Sequence, residues 1–200
     1  MKYRIGIDEA GRGPLAGPVA VGAFCVAEEF RHELKKFFTG GIVRDSKKLS
    51  SVKREKIFNA MRDAKAKGKI SYSVTFASAG MIDRKGITFA IRHALARALK
   101  NLGVPSTASE VFLDGGLCAP KEFTNQKTII KGDEKKAIIA LASIAAKVLR
   151  DKKMVAAGKK YPKYDFGTHK GYGTKAHYAK IMRHGLSPIH RRSFLKNLVK

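Results

Sequence analysis

This sequence is short of cysteine, short of acid and short of long apolar runs. Cys25 and Cys118 are its only cysteines, with no CxxC pair and no Cys/His cluster, which argues against a disulfide-stapled scaffold and a structural zinc site. The longest apolar stretch, Ala137 to Ala146, is far too short to cross a bilayer. Acids at positions 8 and 9 leave no room for an apolar signal core at the N-terminus. A cytoplasmic protein with no membrane contact is therefore expected. Only 16 Asp+Glu stand against 41 Lys+Arg, a formal net charge of +25. The 44% of hydrophobic residues is that of a folded chain, so the charge does not belong to a disordered tail. Folded domains usually carry a net charge of about 2–8 in magnitude. A solubilising surface accounts poorly for +25, and nucleic acid is the better explanation.

The basic excess is uneven. Residues 150–200 hold 14 Lys/Arg and 2 acids, whereas residues 1–30 hold 3 and 4. The one segment that is not basic contains the adjacent pair Asp8-Glu9. No repeat, low-complexity tract or Gly/Ser/Pro linker divides the chain. One domain over residues 1–200 is expected, with a substrate-contacting extension from about residue 152.

Period-two patterning predicts strands over Tyr3–Ile7, Val19–Val26 and Ser71–Phe76, with shorter ones over Glu110–Leu113 and Lys127–Ile130. A helix is expected after Leu49, capped by Ser50 or Ser51 and turning Val52, Ile57 and Met61 inward. A long helix over Ile87–Leu102 should end at Gly103, and Ala137, Leu141, Ile144 and Val148 share one face of another. From Pro162 to His190 the chain should wrap the surface with short helices. The order implies an α/β fold with a mixed sheet.

With so few acids, their positions can be read. Asp8 and Glu9 close one predicted strand and Asp114 closes another; Asp133 follows Ile129-Ile130 by three and four residues and precedes a helix. Carboxylates converging at strand ends repel one another unless a cation neutralises them. Hard divalent ions bind through a few carboxylates, water and substrate phosphate. Asp133 also suits a helix N-cap, and Asp114 a turn before two glycines, so both roles stay open for each. Gly11-Arg12-Gly13 fails as a dinucleotide loop, because Gly17 falls one place late and Pro14 intrudes. His169, His177, His184 and His190 lack zinc-ligand spacing and are expected at the surface or facing phosphate. Ser46 and Ser143 have no evident His/acid partner for nucleophilic chemistry.

The run Gly6 to Val19, GIDEAGRGPLAGPV, resembles the opening signature of ribonuclease HII, the type 2 ribonuclease H family. DSKKLS (Asp45–Ser50), FLDGG (Phe112–Gly116), KGD (Lys131–Asp133), ASIAAKVLRD (Ala142–Asp151), HKGYGT (His169–Thr174) and SPIHRRSF (Ser187–Phe194) follow in that family's order. The resemblance implies an RNase H-like fold: a mixed central sheet flanked by helices, with a C-terminal helical and loop extension. It implies a metal-dependent endoribonuclease that hydrolyses the RNA strand of RNA–DNA hybrids. It also implies cleavage 5′ of single ribonucleotides in duplex DNA by a two-metal-ion mechanism, leaving 3′-OH and 5′-phosphate ends.

The family's four catalytic, metal-binding acids fall on Asp8, Glu9, Asp114 and Asp133, for Mg²⁺ or Mn²⁺. Its substrate loop falls on Gly11, Arg12 and Gly13, where small residues let the backbone approach the ribose 2′-OH; Gly13 is expected to need both that space and a special backbone angle. Tyr172 falls on the tyrosine that packs on the deoxyribose at the junction, and Ser46 and Lys47 on phosphate-holding positions. Gly86 stands where the family often has an asparagine. An aspartate at 133 and a catalytic strand beginning at residue 3 fit type 2 better than type 3. Phe194 to Lys200 shows no sliding-clamp peptide, so a monomer without a protein partner is expected. The rival is a non-catalytic basic nucleic-acid-binding protein, which would gain nothing from acids facing phosphates.

Overall fold

A computed structural model describes residues 2–38, 49–196 and 198. Its centre is a five-stranded sheet in the order β3-β2-β1-β4-β5. β1 (Tyr3–Ala10) pairs antiparallel with β2 (Val19–Ala27), which pairs antiparallel with β3 (Ser71–Ala77). On its other side β1 runs parallel to β4 (Ser109–Asp114), and β4 parallel to β5 (Gln126–Ile129). This is the expected mixed sheet.

Alternation along β1 and β4 sorts the two faces. Ile5, Ile7, Val111 and Leu113 pack into one core with the apolar stripe of α3 (Ile87–Leu102). Phe24, Val26 and Phe112 pack into a second core with α1 (Ser51–Ala66) and α5 (Ala137–Lys160). Ser50 caps α1, its hydroxyl accepting from the Lys53 N–H. Phe58 and Met61 are the buried residues of α1, while Val52 is 64% exposed, contrary to the inward placement expected for it. Nine residues at 100° each set Val52 on the opposite side of the helix from Met61. β5 ends one residue before the expected Ile130, which is exposed.

α5 lies close against the sheet. A Cβ on Gly6 would stand 2.2 Å from the Ile138 carbonyl oxygen, and one on Gly22 would stand 2.3 Å from that of Ala142. In the β1–β2 register Gly22 sits opposite Asp8. After α5 come two short helices, Phe166–His169 (α6, counting α2 at Ala79–Lys85 and α4 at Gly132–Lys135) and Lys175–His184 (α7). This C-terminal stretch returns to the loop between β1 and β2: Arg191 N–H donates to the Leu15 carbonyl at 2.8 Å, and Ala16 forms a bridge with His190. Among the described residues no helix is long and apolar enough to cross a membrane.

Candidate active site

Ile7 stands opposite Leu113 in the parallel β1–β4 pair, so the next residues, Asp8 and Asp114, are neighbours at the carboxyl ends of the two strands. Both lie in phase with Gly6 and Phe112, on the α5 side of the sheet. Carboxyl ends of parallel strands are where α/β sheets place ligands. Asp8, Glu9 and Asp114 line one cleft of about 420 Å³ with Gly11, Arg12, Gly13, Arg54, Ser143, Lys147 and Tyr172. Asp8 is 1% exposed. Burial, then the Glu9 charge and that of Asp114, hold its carboxyl well above the usual range; bonds from the Ser143 hydroxyl and the Glu9 N–H, the latter at 2.7 Å, pull the other way.

Asp133 lies outside the lining of that cleft. It is fully buried as the second residue of α4, and the preceding Gly132 N–H donates to Asp114 Oδ1 at 2.6 Å. Its position is thus one residue from a contact that ties α4 to the carboxylate edge. Among the described residues no three His, Cys, Asp or Glu side chains already converge as a ligand set. The donors facing the cleft are nonetheless hard carboxylate oxygens, and the repulsion between Asp8 and its acidic neighbours is of the kind a divalent cation relieves. The residues fit a Mg²⁺- or Mn²⁺-type ion.

The β1–β2 loop, from Gly11 to Pro18, is held from behind by two buried arginines. Arg191 donates to the carbonyls of Gly11, Arg12 and Gly17 at 2.6, 2.8 and 3.0 Å; Arg150 donates to those of Pro18 and Ala16 at 3.0 and 3.3 Å. Gly11 has φ +85°, and a Cβ there would meet Arg150 Nε at 1.9 Å. Gly13 has no such φ, and a Cβ on it would meet nothing within 4 Å. This corrects the expected need for a special backbone angle at Gly13: the sterically closed position is Gly11. Arg12 reaches Glu9 at 3.3 Å.

Tyr172 faces the cleft and is 41% exposed. Lys147 Nζ lies 5.2 Å and Arg150 Cζ 5.6 Å from the ring centroid. Its carbonyl is 2.9 Å from His177 Nδ1, and His177 Nε2 is 3.0 Å from His190 Nε2. His190 Nδ1 accepts from the Ser187 N–H at 2.8 Å, and His169 stacks on His177 with centroids 4.2 Å apart. His177 and His190 are therefore buried, against the surface placement expected for them. Aromatic neighbours Tyr164 and Phe166 exclude water, and burial is the main reason both imidazoles titrate low, His190 down to about 4.

A family model described as Ribonuclease HII matches residues 5–197. The chain belongs to the ribonuclease HII family. It is 43% identical over 198 residues to the ribonuclease HII of Caldicellulosiruptor bescii, covering 99% of this chain and 89% of that protein. Among solved structures it is similar to the ribonuclease H2 of Pyrococcus horikoshii, with TM-score 0.74, 27% identity, and 96% and 93% of the two chains covered. It is also similar to the Archaeoglobus fulgidus RNase HII solved in complex with PCNA, with TM-score 0.71, 25% identity, and 94% and 93% covered. The fold is RNase H-like and the chain is a nuclease of the hydrolase class.

Set on this ribonuclease HII scaffold, the residues predicted from sequence divide three ways. Asp8, Glu9, Asp114, Gly11, Arg12, Gly13 and Tyr172 share one cleft, and Asp133 stands beside it. Ser46 and Lys47 lie outside the described residues. Gly86 joins α2 to α3, where its carbonyl accepts from the Ala90 N–H. Sequence reasoning gave Ser143 no place in the site and passed over Lys147 and Arg150, although their spacing of four and three residues on one helix face carries the signal. Arg191 offered no such signal.

Proposed function

We propose that this ribonuclease hydrolyses the RNA strand of RNA–DNA hybrids and cuts on the 5′ side of single ribonucleotides in duplex DNA. The carrying observation is that one cleft joins Asp8, Glu9 and Asp114 to Gly11–Gly13 and Tyr172. Asp8, Glu9, Asp114 and Asp133 are the residues that would hold a pair of Mg²⁺ or Mn²⁺ ions. When bound, such ions neutralise the carboxylates, polarise the scissile phosphate and activate water.

The protein's own groups do the rest. Ser143 fixes the Asp8 carboxylate by a hydrogen bond. The Gly11–Gly13 backbone meets the ribose 2′-OH, the group that separates RNA from DNA. Tyr172, with a cation on its flank, packs on the deoxyribose that follows. Arg54 and Lys147 place positive charge along the cleft for the phosphate backbone, and Ser46 and Lys47 would add a hydroxyl and a cation to phosphate binding. The protein acts as a monomer on nucleic acid; the A. fulgidus relative was solved in complex with PCNA.

End-group analysis tests this reading on a duplex carrying one ribonucleotide, with and without Mg²⁺. The expected products are 3′-OH and 5′-phosphate ends, formed only with the ion. A 2′,3′-cyclic phosphate product, or equal cutting of all-DNA duplex, would overturn it.

A further inference from the structure

Arg191 is fully buried, and its three guanidinium nitrogens all donate to main-chain carbonyls, those of Gly17, Arg12 and Gly11. Burying one guanidinium is costly, and Arg150, also fully buried, adds a like charge beside it. Burial and that neighbour push Arg191 down to about 9, which still leaves it a cation at neutral pH. The carboxylates that offset them, Asp151 at 3.9 Å from Arg150 and Asp83 toward Arg191, are only half-buried, so the pair is a poor way to stabilise a fold. Its position suggests another use.

The two carbonyls at the shortest distances belong to the loop that lines the cleft. In a trans peptide unit the C=O and the following N–H point in opposite directions, and none of the described peptide bonds is cis. With the Gly11 carbonyl drawn inward at 2.6 Å, the Arg12 N–H is turned away from Arg191. With the Arg12 carbonyl drawn inward at 2.8 Å, the Gly13 N–H is turned the same way. Arg12 and Gly13 are exposed in the cleft, so these two donors face its interior.

We propose that Arg191 is the positioning residue for ribose recognition: its grip on the Gly11 and Arg12 carbonyls presents the Arg12 and Gly13 N–H groups as a donor pair to the substrate 2′-oxygen. The proposal rests on the reading that this loop meets the 2′-OH. The guanidinium also polarises both peptide units, which strengthens their N–H groups as donors. A deoxyribose leaves the pair without an acceptor in a desolvated cleft, and that is the kind of mismatch that discriminates most strongly. Lysine cannot replace the residue in this role, because one ammonium lacks the planar fork that holds two carbonyls at once. Its main chain, however, can keep the Arg191 N–H bond to the Leu15 carbonyl and so the local fold.

The test combines two measurements on the full chain, with Ca²⁺ present to keep the duplex uncut. Amide NMR shifts of Arg12 and Gly13 are compared on adding a duplex with one ribonucleotide and the same duplex all in DNA. Affinities for both duplexes are then measured for wild type and Arg191→Lys. Wild type should show larger shifts with the ribonucleotide. Arg191→Lys should erase that difference and cut the preference for the ribonucleotide duplex about tenfold, while all-DNA affinity stays within about twofold. In Mg²⁺ the same variant should lose kcat/KM on the single-ribonucleotide duplex about tenfold or more, with a raised KM as part of the loss. No ribose-dependent shift in wild type would overturn both the loop reading and this proposal. A shift difference and a preference that survive in Arg191→Lys would overturn the proposal alone.

Discussion

Asp8 and Asp114 hang from hydrogen-bonded strands, whereas Gly11 and Arg12 hang from the Arg191 side chain. The carboxylate edge is an outcome of sheet register: once β1 and β4 pair, two acids in phase must stand side by side. The loop edge is an outcome of tertiary contacts made by residues far along the chain. On the proposed function, chemistry that needs fixed charges would rest on the hydrogen-bonded centre of the sheet. Recognition of a sugar would rest, on the same proposal, on a loop whose shape depends on the C-terminal return.

The carboxylate edge should break hardest. Asp8→Asn or Asp114→Asn is expected to lower turnover by about 10³-fold or more, read as cleavage of a single-ribonucleotide duplex at saturating Mg²⁺. Because burial and acidic neighbours raise the Asp8 pKa, its ionised form opposes folding at neutral pH without a cation. Asp8→Asn should therefore raise the Tm of the metal-free protein while it destroys activity. Near-normal turnover in Asp114→Asn would remove the catalytic assignment.

Tyr172→Ala probes the other edge. Loss of a packing ring is worth about 1–3 kcal/mol per base-sized contact, so single-ribonucleotide cleavage should fall about 10- to 100-fold. Cleavage of long hybrids, where no deoxyribose follows each cut, should fall less. Equal losses on both substrates would take the junction role from Tyr172.

Gly11→Ala against Gly13→Ala sharpens the comparison within one loop. An alanine at position 11 needs φ +85° and collides with Arg150, and is expected to cost roughly 2–4 kcal/mol in a denaturant titration. Gly13→Ala should fold as wild type and lose activity only where substrate approaches. The reverse order of stabilities would show that the arginines do not set the loop.

The histidine stack ties the Tyr172 carbonyl to stability in acid. His190 titrates near 4 in the fold against about 6.5 unfolded, so the unfolded chain binds more protons between those values. Stability is fully present above about pH 6.5 and declines as pH falls toward 4, at up to about 1.4 kcal/mol per pH unit for this group. Denaturant midpoints across that window check the slope, and His190→Phe should flatten it. The smallest effect is at Lys47: Lys47→Ala should lower the slope of log affinity against log salt by about 0.9 if that lysine holds one phosphate.

How far the sequence foretold each edge follows from the same difference. Strand alternation and the positions of scarce acids put Asp8, Glu9 and Asp114 at strand ends, since both are local properties, while the turn role of Asp114 stayed open until the family resemblance joined them. The Ile87–Leu102 helix and its stop at Gly103 were legible for the same reason. Val52 was misplaced because its turn of helix was not counted against Met61. The histidines were misplaced because nothing local reveals that Tyr164 and Phe166 cover them. Arg191 went unread because a guanidinium binding carbonyls of residues 11, 12 and 17 leaves no periodic trace.

Gly6 and Gly22 set limits on how this enzyme can change. With carbonyl oxygens of α5 at 2.2 and 2.3 Å from where a Cβ would begin, neither position admits any larger residue unless the helix lifts off the sheet. Lifting it would carry Ser143 away from Asp8 and Lys147 away from Tyr172 in one motion. Two glycines outside the cleft's own lining therefore fix how closely α5 seats Ser143 and Lys147 against it.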